Sequence, residues 1–152
     1  MYASQSIAEK LLENGVIDSD QFSEARAESL KRGLSVEDLL QSKGIITGLD
    51  IAKAKSEIYD IPFVDLSDMT FESSVFSYIS ADIARRQNAV PFRETQTALD
   101  IAMKDPLDIQ SVNYLSKLIG RRIIPHYADP TAIERVIDTQ YKEGFAGEVT
   151  EA

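Results

Sequence analysis

Apolar and polar positions in the first 58 residues follow a pattern that occurs twice, 29 residues apart. The two copies align when Gly15 is placed over Gly44, and residues on both sides of the glycine then agree in order and type. Each copy has the pattern of a helix, a glycine, an apolar pair, a polar cap and a second helix. The matched positions are Ser6 with Ser35, Ile7 with Val36, Leu11 with Leu40, Val16-Ile17 with Ile45-Ile46, Phe22 with Ile51, and Ala25 with Ala54.

Glycines and capping residues mark the ends of the repeated helices. Gly15 and Gly44 can take the left-handed conformation that ends a helix, and the apolar pair after each glycine can then turn into a core. Asp18 with Gln21 has the spacing of a capping box, and Thr47 can cap the corresponding helix of the second copy. These signals predict helices near 19–31 and 48–58.

The apolar residues of these two helices recur every three to five positions, as they do on faces that are buried against a partner. Together with the shorter helix that begins each copy, they predict a four-helix bundle of two tandem hairpins in residues 1–60. The predicted buried stripes are Phe22/Ala25/Leu30 and Ile51/Ala54/Ile58.

From residue 61 onward, β-rich segments alternate with helical stretches. Asp105-Pro106 and Asp129-Pro130 each have the sequence of an N-cap followed by a first helical residue, and Gly120 can close the first of these helices. The fold class is therefore α+β, with the helical bundle followed by a small mixed α/β sheet domain in residues 61–143 and a flexible tail in residues 144–152. The predicted strands are Ile61–Leu66, Ala89–Phe92, Leu99–Met103 and Arg122–Tyr127, with a hairpin turn at Glu94–Thr97.

Composition and charge exclude several classes of function. The chain has no cysteine and one histidine, which excludes disulfides, thiolate chemistry and multi-histidine metal sites. A net charge of −9 opposes the attraction to polyanions on which nonspecific nucleic-acid binding depends. No apolar run approaches the ~20 residues that span a bilayer, and Met1–Lys10 lack the features of a signal peptide. We therefore expect a cytoplasmic protein with no nucleic-acid partner and no membrane insertion.

Cofactor-binding and catalytic motifs are missing from the sequence. None of the 7 glycines belongs to a Walker A loop or a dinucleotide fingerprint. A serine triad would need the lone His126, whose position in a predicted strand favours a structural role. The carboxylate pairs are typical of helix caps and solvated faces. The sequence therefore predicts that the chain is not an enzyme and needs no cofactor.

Two adjacent arginine pairs, Arg85-Arg86 and Arg121-Arg122, allow two interpretations. They can be solvated side chains at the end of a helix or strand, or they can contact a partner or an anion. Under the second interpretation, Arg85 and Arg86 are the candidate docking residues.

The ordered series of these features resembles the domains found at the front of bacterial type IV pilus assembly and type II secretion ATPases. The two hairpin copies are similar to the tandem MshEN motif, and the second half is similar to the type II secretion E N-terminal domain that follows it. The order and spacing extend over nearly the whole chain. In the second half the resemblance rests on Ile61-Pro62-Phe63-Val64-Asp65-Leu66, on Ala84-Arg85-Arg86 ahead of Val90-Pro91-Phe92, and on Ala102-Met103-Lys104-Asp105-Pro106.

The resemblance implies a regulatory and docking domain without catalysis of its own. In such proteins the domain precedes the ATPase core of the parent protein and contacts inner-membrane secretion or pilus assembly proteins. These contacts would place the chain at the cytoplasmic side of the inner membrane. A second function implied by the resemblance is a cyclic di-GMP sensor, and related domains are also attached to some glycosyltransferases. The acidity of the chain favours a basic docking face on its partner.

The cyclic di-GMP motif is degenerate in this sequence. Binding members of the family begin each copy with Arg-Leu-Gly and end it with Gln, whereas this chain begins with Ser6-Ile7-Ala8 and Ser35-Val36-Glu37 and ends with Ser29 and Ile58. The remaining apolar frame equally suits the core of a hairpin, so cyclic di-GMP is expected to bind weakly or not at all. The candidate ligand-binding residues are Leu11, Leu12, Gly15, Leu40 and Gly44.

Overall fold

The computed structural model describes residues 6–141 of the chain. The chain divides into two compact units, with the boundary between Asp60 and Ile61, and each unit has its own hydrophobic core. The predicted flexible tail, residues 144–152, lies outside the described residues. No helix in residues 6–141 combines the length and the apolar composition that crossing a bilayer requires.

The first unit consists of four helices, α1 (Ile7–Glu13), α2 (Ser19–Arg32), α3 (Val36–Ser42) and α4 (Gly48–Tyr59). The first residues of α1 and α3 lie 29 positions apart, and so do those of α2 and α4. The predicted pair of tandem helical hairpins is therefore confirmed.

Side chains three residues apart start these helices. The Gln21 amide donates to the Asp18 carboxylate at 2.8 Å, and the Gln21 side chain accepts from the Asp18 amide at 2.9 Å, which completes the predicted capping box. Thr47 and Asp50 form the same reciprocal pair at the start of α4. Because both partners lie within one helical turn, the sequence alone determines where α2 and α4 begin.

The core of the first unit is built from matching positions of the two copies. Helix α1 packs against α4, and α2 packs against α3, so residues of one copy bury those of the other. The prediction that Leu30 belongs to a buried stripe is wrong, since Leu30 is 82% exposed. It lies five residues after Ala25, which is a rotation of about 140° around α2 and faces away from the core. The buried residues of this core are Leu11, Ile17, Ala25, Leu40, Ile46 and Ala54.

The second unit has a short sheet surrounded by helical segments. Its elements are a 3₁₀ helix (Ser73–Tyr78), α5 (Ala81–Gln87), β1 (Ala89–Glu94), β2 (Leu99–Met103), α6 (Ile109–Ile119), β3 (Ile123–Tyr127), α7 (Pro130–Val136) and a π-helical turn (Ile137–Tyr141).

The sheet has the strand order β1-β2-β3 and is mixed, as predicted. Strand β1 pairs antiparallel with β2, while β2 pairs in parallel with β3 through the crossover helix α6. The hairpin turn is closed by a bond from the Thr95 amide to the Ala98 carbonyl at 2.9 Å, one residue later than predicted. All of β2 is buried, so the sheet forms the centre of this unit.

The predicted strand Ile61–Leu66 is not formed. It is replaced by a single parallel bridge between Phe63 and Tyr127, in which Tyr127 donates to Pro62 at 2.8 Å and accepts from Val64 at 2.9 Å. Pro62 has no amide proton, and the Asp65 carboxylate accepts from the Ser67 amide at 3.0 Å in a local turn. The extended pairing therefore ends on both sides of Phe63.

One of the two predicted Asp-Pro helix starts is also wrong. The N-cap of α6 is Asp108 rather than Asp105, because the Asp105 carboxylate accepts from the Leu107 amide at 3.3 Å and forms a turn before the helix begins. At α7 the prediction is confirmed, with Asp129 as the N-cap and Pro130 as the first helical residue. Gly120 ends α6 in the left-handed conformation, as predicted.

Candidate functional site

The apolar frame of the degenerate ligand motif is occupied by the core of the first unit. Leu11 and Leu40 are each 1% exposed, and Leu12 is partly buried against the same core. The carbonyls of Leu11 and Leu40 accept from Val16 and Ile45, at 3.0 Å and 2.9 Å, in matching bonds that close α1 and α3. Packing and helix termination thus account for both leucines without a ligand.

The two motif glycines are required by the backbone. Gly15 and Gly44 have φ values of +77° and +76°, in the left-handed region that other residues adopt at a cost. A Cβ added at either position would meet no atom within 4 Å. Backbone conformation, and not close approach to a neighbouring group, therefore explains why glycine is present at both positions.

The residues that replace the arginines of the binding motif are helix N-caps. The Ser6 hydroxyl accepts from the Glu9 amide at 3.0 Å, and the Ser35 hydroxyl accepts from the Asp38 amide at 3.1 Å. At the end of the first copy, the Ser29 hydroxyl donates to the Leu34 carbonyl. At the start of both copies, the serine hydroxyl bonds to the backbone of its own helix. Neither Ser6-Ile7-Ala8 nor Ser35-Val36-Glu37 contains a cationic side chain that could bind a phosphate.

The candidate docking arginines both lie on α5 and both have carboxylate partners. Arg85 pairs with Asp138 of the π-helical turn at 2.9 Å, and Arg86 pairs with Asp82 one turn earlier on its own helix. The hydrogen bond that Arg86 donates to the Asp82 carboxylate raises the pKa of Arg86 above its ordinary value. All four side chains are more than half exposed, so these ion pairs are screened by solvent and contribute little to stability.

In the second arginine pair, Arg121 binds groups of the β1–β2 turn. Arg121 donates to the Thr95 carbonyl at 2.9 Å and to the Tyr78 hydroxyl at 3.3 Å, and it pairs with Glu94. It therefore ties the β1–β2 turn to the end of α6. No sequence signal indicates this role, because Thr95, Glu94 and Tyr78 lie 26 to 43 positions away from Arg121.

The sheet of the second unit contains a buried polar cluster. The Asp100 side chain is 7% exposed and accepts from Arg93 Nε at 2.7 Å across the β1–β2 pair. His126 on β3 is also buried, with Nδ1 3.0 Å from the Ile124 carbonyl and its ring in edge contact with Phe92. The predicted structural role of His126 agrees with this placement.

Acid should destabilise the fold through His126. Burial lowers the pKa of His126 below its ordinary value, against smaller opposing effects of the Ile124 carbonyl and Asp100. The unfolded chain therefore binds the proton more readily, and the free energy of unfolding should rise with pH until the pH exceeds the unfolded value of about 6.5. Urea unfolding of the native chain and of His126→Asn at about pH 5 and about pH 8 tests this. The variant should show the smaller difference between the two pH values, and an equal difference would contradict the expectation.

Metal sites and clefts in residues 6–141 bear on the predicted absence of cofactor chemistry. No group of three or more histidine or carboxylate side chains within residues 6–141 is arranged to hold a metal ion. One open cleft of about 190 Å³ lies in the second unit, beside the π-helical turn. It is lined by Leu66, Ser67, Met69, Phe71, Ala132, Arg135, Val136, Thr139 and Gln140.

Known structures share this fold. A structure of MshE with cdg superposes with a TM-score of 0.68 at 21% identity, covering 90% of this chain and 99% of that chain. The N-terminal domain of XpsE superposes with a TM-score of 0.56, also at 21% identity, covering 90% of this chain and 97% of that chain. The molecule is thus an α+β domain of the kind found in the N-terminal domain of XpsE.

The family is identified by sequence. The chain belongs to the MshEN domain family, whose model matches residues 59–146, more than half of the chain. The matched range contains Arg85 and Arg86 and begins at Tyr59, the last residue of the tandem hairpins. The hairpins are covered by the structural similarities, which extend over nine-tenths of the chain.

Curated relatives are much longer proteins. The type IV pilus assembly ATPase PilB of Myxococcus xanthus is 26% identical over 140 residues, which is 92% of this chain and 25% of the relative. PilB of Thermus thermophilus is 24% identical over 135 residues, 88% of this chain and 15% of that protein. Bacteriophage adsorption protein B of Escherichia coli K12 is 28% identical over 116 residues, 74% of this chain and 15% of that protein. The chain therefore spans a quarter or less of the relatives it matches.

Proposed function

We propose that the chain is a non-catalytic docking domain of a pilus assembly or type II secretion ATPase. The supporting observation is that 92% of the chain aligns with a pilus assembly ATPase, while 90% of it superposes on the N-terminal domain of XpsE. In this proposal residues 1–60 are the tandem-hairpin subdomain and residues 61–143 the α/β subdomain. The ATPase activity belongs to the rest of the parent protein.

The partner in this proposal is the cytoplasmic part of an inner-membrane assembly protein. A net charge of −9 favours a basic face on that partner, because complementary charge accelerates association even when it adds little affinity. Arg85 and Arg86 are the proposed contacts within the family-matched range. Because their present ion pairs are solvent-exposed, both guanidinium groups can exchange Asp138 and Asp82 for carboxylates of a partner at small cost.

The docking function is tested by direct binding. The chain is immobilised, and the purified cytoplasmic domains of the inner-membrane pilus and secretion proteins from the same organism are passed over it at low and at physiological salt. We expect saturable binding to one of them, stronger at low salt, and weakened about tenfold by Arg85→Glu with Arg86→Glu. Lys31→Glu with Arg32→Glu, an equal change of charge at two adjacent exposed positions of the first unit, is the matched control.

Two negative results have different meanings in this experiment. If no domain binds at low salt, the docking function is wrong. If one binds but the arginine variant and the matched control behave alike, docking stands and the assignment of Arg85 and Arg86 to the interface is wrong. Circular dichroism of each variant shows whether its fold is intact.

A cyclic di-GMP sensor is the second candidate function. The observation that favours it is the structure of MshE with cdg, whose fold this chain shares. Against it stand the N-cap serines where binding members carry arginine, and the leucines that are buried in the core. We therefore propose that the fold has been retained for docking and that cyclic di-GMP binds weakly or not at all.

A further inference from the structure

The turn that closes α1 contains an asparagine followed by glycine, whereas the matching turn that closes α3 contains a lysine followed by glycine. The two turns have nearly the same backbone, since Asn14 has φ −82° and ψ −1° and Lys43 has φ −86° and ψ −1°. The bond from each glycine amide to the carbonyl three residues earlier is 3.1 Å in the first turn and 3.0 Å in the second. The two turns therefore differ in the side chain before the glycine and hardly at all in geometry.

An asparagine followed by glycine is chemically labile, because glycine has no side chain to keep its amide nitrogen away from the carboxamide carbon of the asparagine. The other asparagines of the chain lack this feature, since Asn88 precedes Ala89 and Asn113 precedes Tyr114 within α6. Lysine has no carboxamide, so the turn at Lys43 cannot react in the same way. The first copy thus carries a reactive turn that the second copy lacks.

The side chain before each of the two glycines bonds to a glutamate of the other copy. The Asn14 carboxamide donates to Glu57 on α4 at 2.9 Å, and the Lys43 ammonium pairs with Glu28 on α2 at 2.6 Å. Asn14 and Lys43 lie 29 positions apart, as do Glu28 and Glu57, so the repeat relates the two contacts. Lys10 also pairs with Glu57, at 3.5 Å. Each contact joins the end of a short helix to the long helix of the other copy.

We propose that Asn14 is a site of spontaneous deamidation and that the products loosen the contact between the two copies. The Gly15 nitrogen loses its proton and attacks Cγ of Asn14, the bond from Cγ to Nδ2 breaks, and ammonia leaves as a succinimide ring closes. Water then opens the ring. Attack of water at Cγ gives aspartate, whereas attack at the main-chain carbonyl gives isoaspartate, whose chain continues through the side-chain carbon. The inference is independent of the docking function, because water is the only other reactant.

In the folded chain this reaction requires local opening at the end of α1. The Asn14 carboxamide is bonded to Glu57, and the Gly15 amide is bonded to the Leu12 carbonyl, so both bonds must break before the two groups react. Glu13, Asn14 and Gly15 are all exposed, and α1 has only 7 residues. Exposed helix ends open at low free energy while the core stays folded. Deamidation therefore proceeds in the folded protein, but more slowly than in the unfolded chain.

Both products change the contact with Glu57. Aspartate sets a second carboxylate where the amide donated, and Lys10 is then shared between two carboxylates. Isoaspartate also adds a methylene carbon to the main chain, next to the Val16 amide whose bond closes α1 and just ahead of the buried Ile17. We expect isoaspartate to have the larger effect, because it changes the length of the backbone at a turn, whereas an exposed charged contact contributes little to stability.

Incubation of the folded chain at mildly alkaline pH, followed by peptide mapping with mass spectrometry, tests the site. The peptide that contains Asn14 should gain the mass of deamidation with time and separate into aspartate and isoaspartate forms, more slowly than in the chain unfolded by guanidinium chloride. Asn14→Gln is the control, because its longer side chain must close a larger ring. The peptides with Asn88 and Asn113 serve as references within the same sample. If Asn14 of the folded chain stays unchanged, or reacts no faster than Asn88 and Asn113, the inference is wrong.

Urea unfolding of the separated products measures the effect on the first unit. The isoaspartate product should unfold at a lower urea concentration than the unmodified chain, and Asn14→Asp should show a smaller shift in the same direction. Asn14→Lys, which copies the matching position of α3, should not lower the midpoint, because it replaces an amide donor to Glu57 by a cation. An isoaspartate product that unfolds together with the unmodified chain would show that the contact between the copies survives deamidation, and would overturn the inference.

Discussion

Replacing Leu40 by alanine should lower the free energy of unfolding of the first unit by about 2–5 kcal/mol. Leu40 is 1% exposed and packs in a core whose other buried residues are few and include two alanines, so neighbouring side chains have little freedom to fill the cavity. A loss of this size is comparable with the whole stability of a helical unit this small. We therefore expect Leu40→Ala to leave the first unit largely unfolded.

Far-ultraviolet circular dichroism during urea unfolding measures this effect, because the elements described in the first unit are the helices α1 to α4. Leu11→Ala, at the matching position of the first copy, should behave in the same way. Leu30→Ala is the control, since an 82% exposed side chain loses almost no contact on truncation. Unfolding curves of Leu40→Ala and Leu30→Ala that coincide would show that the leucine frame is not a core, and would restore a ligand as its explanation.

The affinity of this chain for cyclic di-GMP should be lower, by about two to four powers of ten, than that of family members with the full motif. A hydrogen bond to a charged group contributes ~1.5–3 kcal/mol, so the loss of one arginine from each copy should cost roughly 3–6 kcal/mol. Ser6 and Ser35 replace these arginines and are bonded to the backbone of their own helices. Glu37 adds a negative charge near the second opening.

Calorimetric titration of cyclic di-GMP into the chain, with MshE as the positive control, measures this difference. The double variant Ser6→Arg with Ser35→Arg should gain affinity, while Ser6→Ala with Ser35→Ala removes the same caps without adding charge and should not. Saturable one-to-one binding by the unaltered chain, weakened by Leu11→Ala without loss of helix, would favour the sensor function over docking.

Sequence predicted this fold best where the determining contacts are local. The capping pair Asp18 and Gln21 spans one turn, and the bonds that close α1 and α3 join residues five apart. Repetition helped further, because each signal in the first copy occurred again 29 positions later. The helix boundaries of the first unit could therefore be predicted from propensity and capping alone.

Predictions from sequence were poorer where contacts with residues distant in the sequence determine the structure. Phe63 pairs with Tyr127, which is distant in the sequence, and the role of Arg121 depends on a turn formed by Thr95 and Gln96. Asp105 and Asp108 both have capping side chains, and only the folded turn at Leu107 shows which one starts α6. The partner of Arg85 belongs to this second group, because Asp138 lies 53 positions away from Arg85.

The interleaved core of the first unit also limits how such a domain could have originated. Six of its buried residues form three pairs of repeat-related positions, Leu11 with Leu40, Ile17 with Ile46, and Ala25 with Ala54. The first unit also buries Ala8, Leu39 and Ala52, whose counterparts are not buried. One hairpin supplies only half of this core, so a single ancestral hairpin could have buried its apolar residues only against another identical molecule. Gene duplication would then have joined the two subunits of a symmetric dimer into one chain, and the two copies could afterwards diverge at every surface position while keeping a shared interior.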